Sequence, residues 1–255
     1  MYEEENQMIY KPKKINGKPL LMFVGLYVLE IVVSTIAYMF LGNKPFETAD
    51  TLIWLIGKLV VLLVVLIVYK KVFISLFGET RKAFGKFLLF TLLWFVIFYA
   101  FEIGTSYYQM LIDKIYNIGD TSNQEAIFEY FYASPTFKNY FMLFLTIVII
   151  APLLEEFEFR ELIFKGFEGC HFIVPTLVSS LTFGLAHVLS FVLAGEYIQI
   201  LYLPVYCIPG FCLSLVYYYN GKNLYSSFLV HMTSNLISFI GIMIQINQGV
   251  PTTNI

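Results

Sequence analysis

Four glutamates and an arginine occupy residues 155–161 (Glu155, Glu156, Glu158, Arg160 and Glu161) in a 255-residue chain that is only 13% charged. On a helix, neighbours point about 100° apart, so Glu155 and Glu156 cannot easily share one task. Arg160 follows Glu156 by one turn on the same face, in the favourable glutamate-first order. It is one of two arginines beside fourteen lysines, which suggests that a planar guanidinium fork is wanted there. A fixed Glu156–Arg160 pair leaves Glu155 free for chemistry. Glu158 and Glu161, with Lys165 four residues after Glu161, read as solvated interface.

The partners for a spare carboxylate are imidazoles. His187 lies in LTFGLAHVLS, four residues after Phe183, and His231 lies in SFLVHMTSNL, four residues before Asn235. A lone histidine in an apolar helix is usually a satisfied core residue. Two in separate apolar stretches, with an amide one turn on and a glutamate in a third stretch, could act on a water or hold a metal. His171 has no such company and reads as interfacial.

The elements that must hold these groups are membrane helices. The chain is 58% hydrophobic and 18% aromatic, more apolar surface than a soluble domain of this length hides. Apolar runs of bilayer length fall at about 20–42, 51–77, 86–104, 139–160, 172–194, 198–219 and 223–246. The fold class expected is all-α, a polytopic transmembrane bundle of about seven spans around an intramembrane polar cavity. It divides into a cytoplasmic tail (1–19), N-terminal membrane helices (20–119), a core (120–246) and a short tail (247–255). With the N-terminus inside, Lys44, Lys114 and Lys138 fall outside, and every other Lys and Arg except Lys58 falls on the cytoplasmic side. That bias sets the orientation.

Other features are weaker. Ser122-Asn123-Gln124-Glu125 is a capping-box pattern ahead of an amphipathic stretch, read as a short helix at the outer interface or an ordered loop. An ionisable residue at mid-bilayer costs on the order of 3 kcal/mol, so Glu30 and Lys58 are expected to pair or to face a cavity. Glu102 reads as solvated near a span end. Cys170, Cys207 and Cys212 form no C-x-x-C pair and read as packing residues. The net charge of −2 gives no footprint for nucleic acid.

The order E-E-x-x-x-R, F-x-x-x-H and H-x-x-x-N on successive apolar segments resembles the CPBP family of intramembrane proteases (the CAAX-protease and bacteriocin-processing family, also called Abi). Here it reads Glu155-Glu156-Phe157-Glu158-Phe159-Arg160, Phe183-Gly184-Leu185-Ala186-His187 and His231-Met232-Thr233-Ser234-Asn235, within residues 120–246. The chain departs from the family at Glu161, where glycine is usual, and at Glu158, where an apolar residue is usual. Both departures bear on substrate choice. The resemblance implies an endopeptidase acting on a membrane-associated protein or peptide, with Glu155 as its base.

Physical roles follow for each group. A carboxylate beside an imidazole can orient and deprotonate a water, which suits Glu155 with His187. N–H donors on one helix face can form an oxyanion hole, which suits His231 with Asn235, while Glu156 and Arg160 support the site. A metal-free mechanism is expected. Zinc on Glu155, His187 and His231 is the competing scheme, although no H-E-x-x-H is present. The cavity is expected among spans four, five and seven, open to the cytoplasmic side. The alternative function is a non-catalytic membrane scaffold or bacteriocin self-immunity protein bound to a cell-envelope partner. A transporter reading lacks an inverted-repeat signal. Lysine over arginine, with high Ile, Phe, Tyr and Asn, points to a low-GC bacterium and away from a prenylated substrate.

Overall fold

The computed structural model describes residues 15–42, 49–116 and 121–248. Residues 1–14 of the N-terminal tail, Lys44 and residues 249–255 of the C-terminal tail lie outside the described residues. Helices account for nearly all of the rest, and seven of them are long and apolar enough to cross a membrane. The all-α, polytopic expectation holds.

Helix α1 (Gly17–Leu41) starts where the Asn16 side chain accepts from the Lys18 amide, a sound N-cap. Helix α2 is Ala49–Val68 and α3 is Lys70–Lys82. The run expected as one span over 51–77 therefore breaks at Tyr69. Apolar periodicity does not register the break, because VFISLF continues past it; the lysine pair 70–71 and the basic end Arg81-Lys82 mark α3 as polar-faced. Helix α4 (Phe84–Tyr116) outruns its expected end by twelve residues. Helix α5 (Ser122–Ala133) confirms the capping-box stretch, with Thr121 as the N-cap instead of Ser122 and its hydroxyl accepting from the Gln124 amide.

Helix α6 (Phe137–Gly166) is continuous but has two π-helical stretches, Phe144–Ile150 and Phe157–Leu162. Helix α7 is Ile173–Leu193. A 3-10 turn, Tyr197–Tyr202, runs into α8 (Leu203–Tyr219), and α9 is Leu224–Gln248. Close packing of α7 on α8 depends on two glycines. A Cβ at Gly184 would sit 2.4 Å from the Cys207 sulfur, and one at Gly210 would press on the Phe183 ring at 3.1 Å. Small residues at such crossings are how membrane helices approach one another.

The two ends of the bundle differ in charge. One end carries Lys18, Lys70, Lys71, Arg81, Lys82, Lys86, Lys165 and Lys222. It is tied together by the Asn16 amide on the Gly166 carbonyl and by Asn223 on Thr80, both at 2.8 Å. The other end carries α5 and, among the described residues, only Lys114 and Lys138. It is fastened by Ser122 on Glu196 and Gln199 and by Tyr202 on Asp113.

Candidate active site

The two π-helical stretches of α6 flank Glu155 and Glu156, the second containing Glu158, Arg160 and Glu161, and π-bulges gather at functional sites. The first also opens a backbone group. The Ala151 amide bonds back five residues to the Thr146 carbonyl, so the Ile147 carbonyl would next look to residue 152. That residue is Pro152, which has no N–H to give. The Asn235 amide takes the vacancy, donating to the Ile147 carbonyl at 2.9 Å. One amide N–H of Asn235 is thus committed to backbone, leaving the other for a ligand.

Glu156 and Arg160 form the expected pair at 3.1 Å, both fully buried. The pair is also part of a longer chain. The same carboxylate oxygen of Glu156 accepts from Nδ1 of His231 at 2.9 Å, and Arg160 donates onward to the Gly210 carbonyl at 3.1 Å. Phe183 closes the group. Its ring lies 4.8 Å from the Arg160 guanidinium carbon, 4.6 Å from the His187 ring and 5.9 Å from the His231 ring. The arginine over its face is a cation–π contact, so the phenylalanine of F-x-x-x-H spaces both imidazoles and the guanidinium.

Both imidazoles are held through one ring nitrogen. A carbonyl oxygen only accepts, so Nδ1 of His187, 2.8 Å from the Phe183 carbonyl, carries the proton. Its Nε2 then keeps the lone pair. Tyr206 stacks on the other side of His187, with centroids at 4.6 Å. His231 likewise spends Nδ1 on Glu156. Its Nε2 lies 3.7 Å from a Glu155 oxygen, beyond hydrogen-bond reach and a spacing that one water can bridge.

Glu155, His187, His231 and Asn235 all line one cavity of about 370 Å³. The nearest imidazole nitrogen found to Glu155 belongs to His231 rather than to His187. Among the described residues, no three His, Cys, Asp or Glu side chains are grouped to hold a metal ion. The set expected for zinc, Glu155, His187 and His231, shares the cavity without forming a ligand cluster.

Three expectations need correction. Glu158 and Glu161 are buried, each about 3% exposed. Glu161 is absorbed by Lys165 at 2.5 Å and the Tyr217 hydroxyl at 2.6 Å, whereas Glu158 keeps one buried oxygen without a hydrogen-bond partner. Glu102 is not at a span end. It sits mid-way along the lengthened α4, lines the cavity and accepts from Ser234 at 2.5 Å. The third concerns the opening: the cavity extends from Glu155 and His231 to Asn123, Gln124 and Ile127 of α5, away from the basic end, where Arg160, Phe157, Leu162 and Tyr217 are fully packed. Glu30 and Lys58 pair as expected at 2.9 Å, and His171 is exposed.

A multi-pass helical membrane protein with a polar cavity of carboxylates and imidazoles at mid-depth is the class these features define. Residues 137–237 match the family model described as "Type II CAAX prenyl endopeptidase Rce1-like". A 94-residue stretch is 38% identical to the membrane-embedded CAAX protease MroQ of Staphylococcus aureus, covering 34% of each chain. A longer match, 28% identical over 225 residues, is to an uncharacterized protein of Mycoplasma capricolum and covers 86% of this chain and 64% of that one. The chain thus spans less than two thirds of the length of these relatives. No solved structure matches. The matched segment, residues 137–237, contains all three motifs and supports the CPBP family for that part of the chain.

Proposed function

We propose that the chain is an intramembrane endopeptidase that hydrolyses a peptide bond in a membrane-associated protein or peptide. The observation that carries this reading is a carboxylate left over. Glu156 spends one oxygen on both Arg160 and His231 and is sealed from the cavity, and Glu161 is taken by Lys165 and Tyr217, whereas Glu155 faces the cavity with imidazoles nearby. Water held by Glu155 and the Nε2 lone pair of His187 gives up a proton to that pair as its oxygen attacks the scissile carbonyl. The tetrahedral oxyanion is met by His231, in its imidazolium form, and by the free amide N–H of Asn235. Collapse breaks the C–N bond, and the stored proton passes to the leaving amine. Acid–base assistance of this kind contributes about 10²–10⁴-fold, and one oxyanion donor about 3 kcal/mol.

Glu156, Arg160 and Phe183 hold the imidazoles and do not touch the reacting atoms. The N-terminus is cytoplasmic in this reading, supported by eight basic residues at one end of the described bundle against two at the other. The mechanism needs no metal, so turnover is expected to survive dialysis against a chelator; loss restored by zinc would favour the metal scheme on the same residues.

The test is to compare peptide termini released in membranes by wild type and by Glu155→Gln at matched expression. New termini with wild type alone are the expected result. Identical profiles from the two, alongside a deletion phenotype that Glu155→Gln rescues, would replace the protease with a scaffold or immunity role.

A further inference from the structure

The cavity described above does not end at the catalytic groups. It continues into a second space of about 360 Å³ through the shared walls Gln109, Gln124, Tyr206 and Ser238, and ends near Gln245, three residues from the last described residue of α9. The vestibule walls come from one end of the bundle: Gln109 in the C-terminal half of α4, Gln124 and Phe128 of α5, Val205 and Tyr206 at the start of α8, and Ser238 to Gln245 in the C-terminal half of α9. The vestibule therefore leads away from the basic face, whose side of the site is filled by packed residues.

The vestibule mixes apolar walls (Phe128, Val205 and Ile242) with polar ones. Among the described residues its polar walls are amides and hydroxyls, and no charged side chain lines it. The side-chain oxygen of Gln245 is buried there without a hydrogen-bond partner. A buried acceptor left unpaired is destabilising, and an N–H from a ligand would satisfy it. Amides and hydroxyls match the alternating N–H and C=O of an extended peptide. With no charged side chain among their described residues, the walls offer nothing particular to an acidic headgroup.

We infer that the site is loaded from the face opposite the basic one, and that its substrate is an extended, largely uncharged peptide segment on the extracytoplasmic side of the membrane. This rests on the proposed hydrolase reading for its chemistry and on the positive-inside orientation for its side. The cytoplasmic C-terminal tail of a soluble protein is thereby excluded as substrate. An exported peptide, or the outer juxtamembrane segment of an anchored protein, fits.

The experiment uses the full chain in intact cells, with Cys170→Ser, Cys207→Ala and Cys212→Ala as background and a membrane-impermeant maleimide as the probe. Single cysteines go in as Asn247→Cys at the exposed end of α9, Gln245→Cys and Ser238→Cys along the vestibule, and Lys82→Cys on the basic face. The expected result is labelling of the first three in intact cells to the extent seen in opened membranes, with Lys82→Cys labelled only after opening. Labelling of Lys82→Cys but not Asn247→Cys in intact cells overturns the orientation. Labelling of Asn247→Cys with Gln245→Cys and Ser238→Cys both silent overturns the path. Neither readout needs turnover, so both remain decisive if the comparison of termini rejects the protease.

Discussion

Glu156–Arg160 and Glu30–Lys58 are both ion pairs within the bilayer span, yet they do different work. The first is sealed at 0% exposure, and each partner reaches beyond the pair, to His231 on α9 and to the Gly210 carbonyl on α8. The second is 14–21% exposed and borders a side cavity of about 500 Å³ between α1 and α2, which meets the site at Glu155 and His187. A pair embedded among third parties fixes geometry, whereas a pair at a cavity edge mainly satisfies itself. The family match covers only the first, since it begins at residue 137.

Breaking the sealed pair should have the largest effect. Arg160→Ala leaves the buried Glu156 with His231 in place of its guanidinium partner, a loss of about 3–5 kcal/mol by analogy with other buried pairs, read as a lowered thermal midpoint in detergent. A midpoint unchanged from wild type would remove Arg160 from the frame. Next comes Phe183→Leu. It keeps apolar volume but loses the guanidinium contact and the ring that spaces both imidazoles, so turnover is expected to fall more steeply than stability, by which a spacing role differs from plain packing. Asn235→Ala strands the Ile147 carbonyl at the π-helical stretch, at about 1–3 kcal/mol. Asn235→Asp offers that carbonyl no N–H and should not recover the midpoint; recovery would mean that the amide contact is dispensable.

The smallest effect sharpens the contrast. For Glu30–Lys58, the coupling from a double-mutant cycle with Glu30→Gln and Lys58→Met should be near 1 kcal/mol or below, because both side chains reach a cavity. A coupling as large as that of Glu156–Arg160 would erase the distinction between the two pairs.

Much of this was legible in the sequence, for identifiable reasons. Seven spans follow from apolar length, and the Glu156–Arg160 and Glu30–Lys58 pairs follow from helix spacing and from the penalty on unpaired charge. The break at Tyr69 was hidden because apolar residues continue through it. Glu102 was misplaced with the end of α4: a helix that projects past the bilayer core looks, by hydropathy, like one that stops. Glu158 and Glu161 read as solvated because local spacing cannot reveal the burying helices, here α8 with Tyr217 over Glu161 and the Glu30–Lys58 side of the bundle near Glu158. The contact of His231 with Glu156 joins residues 75 apart, beyond any local pattern. Asn235 had a local signal, Pro152, whose missing N–H implies an open carbonyl one turn back, although no spacing rule names the donor.

The central claim is a division of labour between adjacent glutamates, Glu155 for the water and Glu156 for the frame. Its most direct test sets Glu155→Gln beside Glu156→Gln, measuring thermal midpoint and turnover of a released peptide on the same purified preparations. The account predicts a crossed result. Glu155→Gln keeps the wild-type midpoint and loses turnover by about 10²-fold or more, while Glu156→Gln loses midpoint first. Wild-type turnover by folded Glu155→Gln would contradict the account outright.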